Sequence, residues 1–82
     1  MNDSPENNVV NFYWRPGCPF CAKLELSLRL KGVDFVKHNI WDDPEAAAIV
    51  RANANGNETV PTIVVGEHAL VNPSAKEVIR LL

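Results

Sequence analysis

Two cysteines, Cys18 and Cys21, stand three residues apart at the junction of two segments with opposite preferences. Upstream, Val9-Val10-Asn11-Phe12-Tyr13-Trp14 is β-branched and aromatic, the composition of a strand. Downstream, Cys18 to Lys31 contains no β-branched residue and is rich in Leu, Glu, Lys and Arg, the composition of a helix. Pro16-Gly17 separates the two, and Pro19 falls just inside the helix start, where its missing N–H costs nothing. This arrangement puts the first thiol at the open amino end of a helix, where unpaired N–H groups and the helix dipole favour a thiolate. The pair can close into a small disulfide ring and open again.

The first helix carries a conflicting signal. Leu24, Leu26, Leu28 and Leu30 alternate with polar residues, a period that read alone indicates a strand. Helix propensity outweighs it, and on a wheel these leucines are expected to form one broad face with Phe20, interrupted by Ser27, with Glu25 and Arg29 pointing away. Gly32 is suited to a left-handed cap. Val33 to Ile40 reads as a second strand, parallel to the first because a helix separates them. Asp43-Pro44-Glu45 starts a second helix, which runs to about Ala54 before the Asn53-Ala54-Asn55-Gly56-Asn57 turn. Thr62 to Val65 and His68 to Val71 are strands joined by Gly66-Glu67 in a two-residue hairpin. Ser74 and Glu77 form a capping box that opens a last helix reaching the carboxyl terminus. The order β-α-β-α-β-β-α predicts an α/β fold of thioredoxin-like type, a four-stranded mixed sheet with helices on both faces.

With 82 residues the chain is sized for one domain, expected over residues 9–82, behind a disordered polar tail at residues 1–8. A net charge of −2 with no basic block argues against nucleic acid and anionic membranes as partners. No apolar run approaches the ~20 residues that span a bilayer. The polar, acidic start is unlike a signal peptide, so a cytoplasmic location and a monomer are expected. In a reducing compartment a C-x-x-C pair is catalytic, redox-active or metal-binding rather than a structural staple.

The run Arg15-Pro16-Gly17-Cys18-Pro19-Phe20-Cys21, followed downstream by Thr59-Val60-Pro61, resembles the glutaredoxins over nearly the whole chain after the tail. That resemblance implies a dithiol oxidoreductase that reduces mixed disulfides between proteins and a low-molecular-weight thiol. Cys18 is then the nucleophile and Cys21 the resolving thiol. Arg15 stands where similar glutaredoxins usually carry a lysine, and Pro61 is expected to be cis. The substrate-binding residues it implies are Arg15, Pro19, Phe20, Thr59, Val60, Pro61, Asn72 and Ser74. No bound cofactor is expected, only the small thiol as co-substrate.

The departures from the family pattern indicate which thiol. Where glutathione-using members carry a glycine pair and then an aspartate that holds the γ-glutamyl ammonium, this chain has Val71-Asn72 and Ala75. The usual tyrosine before the second cysteine is Phe20. A ligand with a free ammonium loses a charge-assisted partner at Ala75. Mycothiol, whose cysteine is acetylated, has no such ammonium, and the segment Asn72-Pro73-Ser74-Ala75 is similar to the mycoredoxin branch. Mycothiol is therefore favoured over glutathione. The alternatives are a protein-disulfide donor recycled by thioredoxin reductase, of the type that serves ribonucleotide reductase, and an iron–sulfur carrier, which Pro19 argues against. Zinc needs four ligands, and His38 and His68 lie on different expected strands, so no metal site is expected.

Overall fold

The computed structural model describes residues 9–82; the expected tail at residues 1–8 lies outside them. Strands β1 (Val10–Trp14), β2 (Val36–Asn39), β3 (Thr62–Val65) and β4 (His68–Val71) form one sheet in the order β2-β1-β3-β4. β1 pairs parallel to β2 and antiparallel to β3, which pairs antiparallel to β4. Helices α1 (Pro19–Leu30), α2 (Pro44–Asn53) and α3 (Ala75–Ile79) complete the expected order. The fold is thioredoxin-like, as the order of elements predicts.

Strand alternation decides which helix packs where. Val10 and Phe12 of β1, with Ile63 and Val65 of β3, bury against Cys21, Leu24 and Leu28 of α1 and Ala75 and Val78 of α3. Tyr13 points to the opposite face and packs with Ile40 and with Ala46, Ala47 and Val50 of α2. Successive side chains on a strand face opposite ways, so a five-residue strand can serve both layers. One core therefore holds α1 and α3 on the same side as the cysteines, and α2 stands behind the sheet.

Three expectations are corrected. The leucines of α1 do not share one face: Leu24 and Leu28 are buried, whereas Leu26 and Leu30 are 59% and 78% exposed. Residues two positions apart on a helix are separated by about 200°, so successive leucines of this alternating run point in opposite directions. Phe20 is likewise 63% exposed and does not join the buried stripe. Second, β2 begins at Val36 and not at Val33. Val33 belongs to the helix end: its N–H reaches Leu28 O at 2.9 Å while Gly32, at φ 74°, donates to Arg29 O at 3.1 Å. This is a Schellman cap, and it places the Val33 and Phe35 side chains against the core before the strand can start. Third, α3 stops at Ile79. Leu81 and Leu82 bond back three residues, to Val78 O and Ile79 O, so the last turn tightens instead of continuing as α-helix.

Candidate active site

Cys18 is the N-cap of α1, in extended backbone at φ −103° and ψ 105°. Its Sγ takes the place that a serine or aspartate oxygen fills in an ordinary cap, accepting the Cys21 backbone N–H at 3.2 Å. Among the described hydrogen bonds, the Cys21 N–H is the one backbone donor to this sulfur. The same Sγ faces the Val60 carbonyl oxygen at 3.8 Å. Both cysteines are free thiols. Cys18 retains 9% exposure and Cys21 3%, an asymmetry set by the helix: Cys21 lies one turn in, on the buried stripe with Leu24 and Leu28.

Burial pushes the Cys21 thiol up to about 12, reinforced by its contact with the Cys18 sulfur and opposed by the backbone and charge of Arg15. Cys21 therefore holds its proton at neutral pH beside the more exposed sulfur.

The Val60-Pro61 peptide bond is cis. Its loop is held at two points. The Thr62 hydroxyl, buried, donates to Thr59 O at 2.8 Å, and the Asn72 N–H donates to Pro61 O at 2.7 Å. Asn72 adopts the left-handed conformation at φ 53°, at one of the two positions where the glutathione-using pattern has glycine. Asparagine is among the few side chains that accept this backbone readily. Ser74 serves as the N-cap of α3: its Oγ accepts the Glu77 N–H at 3.2 Å, and its own N–H donates to Glu77 Oε1 at 2.9 Å.

Arg15 does not reach for the Cys18 sulfur. Its guanidinium donates to Pro16 O at 3.2 Å and lies over the ring of Trp41, 5.7 Å from the centroid. Trp41 presents an exposed indole on the β2–α2 loop, and its backbone N–H donates to Asn39 Oδ1 at 2.9 Å. Sequence reading missed it, because a lone tryptophan between strand and helix carries no periodic signal. Trp14 packs partly buried against the core and carries Lys37 Nζ 4.4 Å from its ring centroid.

The structure thus brings Cys18, Cys21 and Val60 together, with Pro61 joined to Asn72, while Phe20, Asn72 and Ser74 line a neighbouring cleft of about 350 Å³ between α1 and α3. Lys23 and Ser27 also line this cleft and were not singled out from sequence. Their signal was spacing: three and seven residues after Phe20, they follow one side of the helix. His38 is engaged elsewhere, at 3.0 Å from Asn11 Oδ1 and stacked on Tyr13. Among the described residues no group of three or more His, Cys, Asp or Glu side chains converges to hold a metal, and no helix is long and apolar enough to cross a membrane.

The glutaredoxin family model matches residues 10–70. A probable glutaredoxin of Synechocystis is 38% identical over 61 residues, covering 74% of this chain and 56% of that protein. A second Synechocystis relative is covered over 66% of its length, so the chain matches roughly half to two thirds of these proteins. Mycoredoxin 1 of Corynebacterium glutamicum is 39% identical over 75 residues, 85% of this chain and 87% of that protein. Among solved structures, the glutaredoxin-like NrdH-redoxin of Escherichia coli aligns with a TM-score of 0.75 and 26% identity, over 89% of this chain and 93% of that one. A family model that takes in both cysteines and the Val60-Pro61 loop, and a relative matched across most of both chains, make this protein a member of the glutaredoxin family.

Proposed function

We propose that this protein is a thiol–disulfide oxidoreductase that reduces mixed disulfides between proteins and a low-molecular-weight thiol, with mycothiol preferred over glutathione. The observation that carries the reading is the pairing of two unequal sulfurs. Cys18 caps a helix and accepts the Cys21 N–H, while Cys21 is buried and held protonated. A thiolate is the attacking species in disulfide exchange, so Cys18 is the nucleophile and Cys21 waits as the resolving thiol.

The Cys18 thiolate attacks the small thiol's sulfur. The bond between that sulfur and the protein substrate breaks, and the substrate leaves as a thiolate that takes a proton from water. Cys18 now holds the small thiol in a mixed disulfide. A second small thiol, deprotonated, attacks the bound small thiol's sulfur, regenerating the Cys18 thiolate and releasing the symmetric disulfide. Alternatively Cys21, on losing its proton, attacks Cys18 and expels the small thiol, leaving the Cys18–Cys21 disulfide for an external reductant. Val60, whose carbonyl faces the Cys18 sulfur, and its neighbours Thr59 and Pro61 would meet a peptide-like group beside Cys18.

Two features support mycothiol. Ala75 leaves no carboxylate to meet a γ-glutamyl ammonium, and mycoredoxin 1 is among the relatives. The Escherichia coli neighbour, a glutaredoxin-like protein with a thioredoxin-like activity profile, favours a second reading as a protein-disulfide donor recycled by thioredoxin reductase. One assay separates them: reduction of a single target protein carrying mycothiol or glutathione, and of an internal protein disulfide, with thioredoxin reductase present or absent. Fastest turnover of the mycothiol adduct without the reductase supports the first reading. Turnover confined to the reductase-coupled reaction overturns it.

A further inference from the structure

We propose that Arg51 and Glu58 are positioning residues for mixed-disulfide reduction: paired across the turn after α2, they hold the chain that enters the cis Val60-Pro61 loop and so set the Val60 carbonyl beside the Cys18 sulfur. The inference rests on the reading of Cys18 as the nucleophile. Arg51, in the last turn of α2, grips the turn at both ends. Its carbonyl oxygen accepts the Gly56 N–H at 2.8 Å and the Ala54 N–H at 3.3 Å, and its guanidinium reaches Glu58 Oε2 at 2.6 Å. Between these holds Asn55 and Gly56 both adopt positive φ, 55° and 86°, and the chain reverses. Asn57 donates twice to Ala54 O, through its N–H at 3.0 Å and its Nδ2 at 3.1 Å. The turn is closed on itself, and the Glu58 carboxylate is its last hold before Thr59.

The loop that follows is tethered mainly from its downstream side. The Thr62 hydroxyl holds Thr59 O at 2.8 Å and the Asn72 N–H holds Pro61 O at 2.7 Å, while Val60 O between them faces Cys18 Sγ. Upstream, among the described residues, the Arg51–Glu58 pair is the one side-chain hydrogen bond or ion pair that joins α2 to residues 58–61. Both side chains are nearly half exposed, 43% and 44%, so the pair contributes little to global stability. Its effect lies in placement. A binding group that shifts loses its alignment with the reacting sulfur even while the fold stays intact.

The test measures kcat and KM on a peptide carrying a mycothiol adduct. Arg51→Ala and Glu58→Ala should each raise KM about fivefold, the upper end for an exposed ion pair, with kcat held within about twofold. The double variant should be no worse than either single one. Exchange of the pair, Arg51→Glu with Glu58→Arg, should return KM close to the wild-type value. Alkylation of Cys18 by iodoacetamide, which needs the helix cap and not the loop, should keep its wild-type rate in every variant. Unchanged KM in both single variants, additive losses in the double variant, or no recovery on exchange overturns the pair as a positioning device. Slower alkylation in the single variants reports a general loosening of the site and overturns it as well. A wild type that does not turn over the mycothiol adduct, or that still does so after Cys18→Ser, overturns the underlying reading instead.

Discussion

The Sγ of Cys18 and the carbonyl oxygen of Val60, 42 residues apart in the chain, face each other across 3.8 Å. Antiparallel pairing of β1 with β3 produces the meeting. Tyr13 pairs with Thr62, so the loop after β1 and the loop before β3 emerge at the same end of the sheet. The helix cap then fixes the sulfur, and the Thr62–Thr59 and Asn72–Pro61 hydrogen bonds fix the carbonyl's loop. The following outcomes are expected from this arrangement.

Cys18→Ser should abolish reduction of mixed disulfides, because a hydroxyl at the cap supplies no thiolate. Cys21→Ser should keep substantial activity on small-thiol adducts, where a second small thiol completes the cycle. Steady-state turnover of both variants checks this, and equal inactivity of the two would remove the monothiol route.

Alkylation should discriminate between the sulfurs. With Cys21 held up to about 12, one equivalent of iodoacetamide at pH 8 should label Cys18 in the folded protein, and peptide mapping by mass spectrometry reads the site. The same shift bears on stability. An unfolded thiol titrates near ~8.5, so above that pH the unfolded chain loses a proton that the folded protein retains. The Cys21 contribution is therefore complete below ~8.5 and is lost progressively as pH rises toward about 12. Urea midpoints at pH 7 and pH 10 should fall further apart in wild type than in Cys21→Ala.

Ala75→Asp should improve use of glutathione adducts. A new carboxylate on the first residue of α3 can pair with the γ-glutamyl ammonium, an interaction worth ~1.5–3 kcal/mol, so kcat/KM should rise about tenfold or more. Mycothiol adducts should gain nothing. A parallel rise for both thiols would show that the aspartate acts on the cysteines and not on the ligand.

Asn72→Val should destabilise the fold by about 1–2 kcal/mol, since a β-branched residue resists φ near 53°. Asn72→Gly should be tolerated. Urea unfolding of the two variants gives the comparison, and an unaffected Asn72→Val would mean that the loop relaxes to ordinary backbone.

Much of this was legible in one dimension. Asp43-Pro44 and the Ser74–Glu77 box announced two helix starts because caps act within four residues, and the structure holds both: Asp43 Oδ1 accepts the Glu45 and Ala46 N–H groups. Gly32 and the Gly66-Glu67 hairpin were readable for the same reason, their backbone needs being local. The cysteine spacing likewise placed Cys18 at a helix start and Cys21 one turn inside.

What depended on distance in space was not legible. The alternating leucines offered no indication that only Leu24 and Leu28 would find a sheet beneath them, since packing against Phe12 and Ile63 settles that. The place of Arg15 before the motif gave no indication that its guanidinium would lie over the Trp41 ring. Lys23 and Ser27 were ordinary surface residues until α3 closed a cleft over them. Local backbone preferences, caps and turns act through neighbours in the chain, and the sequence by itself determined those. Which side chains face one another across the sheet end depends on strand register and helix docking, and only the tertiary structure decided it.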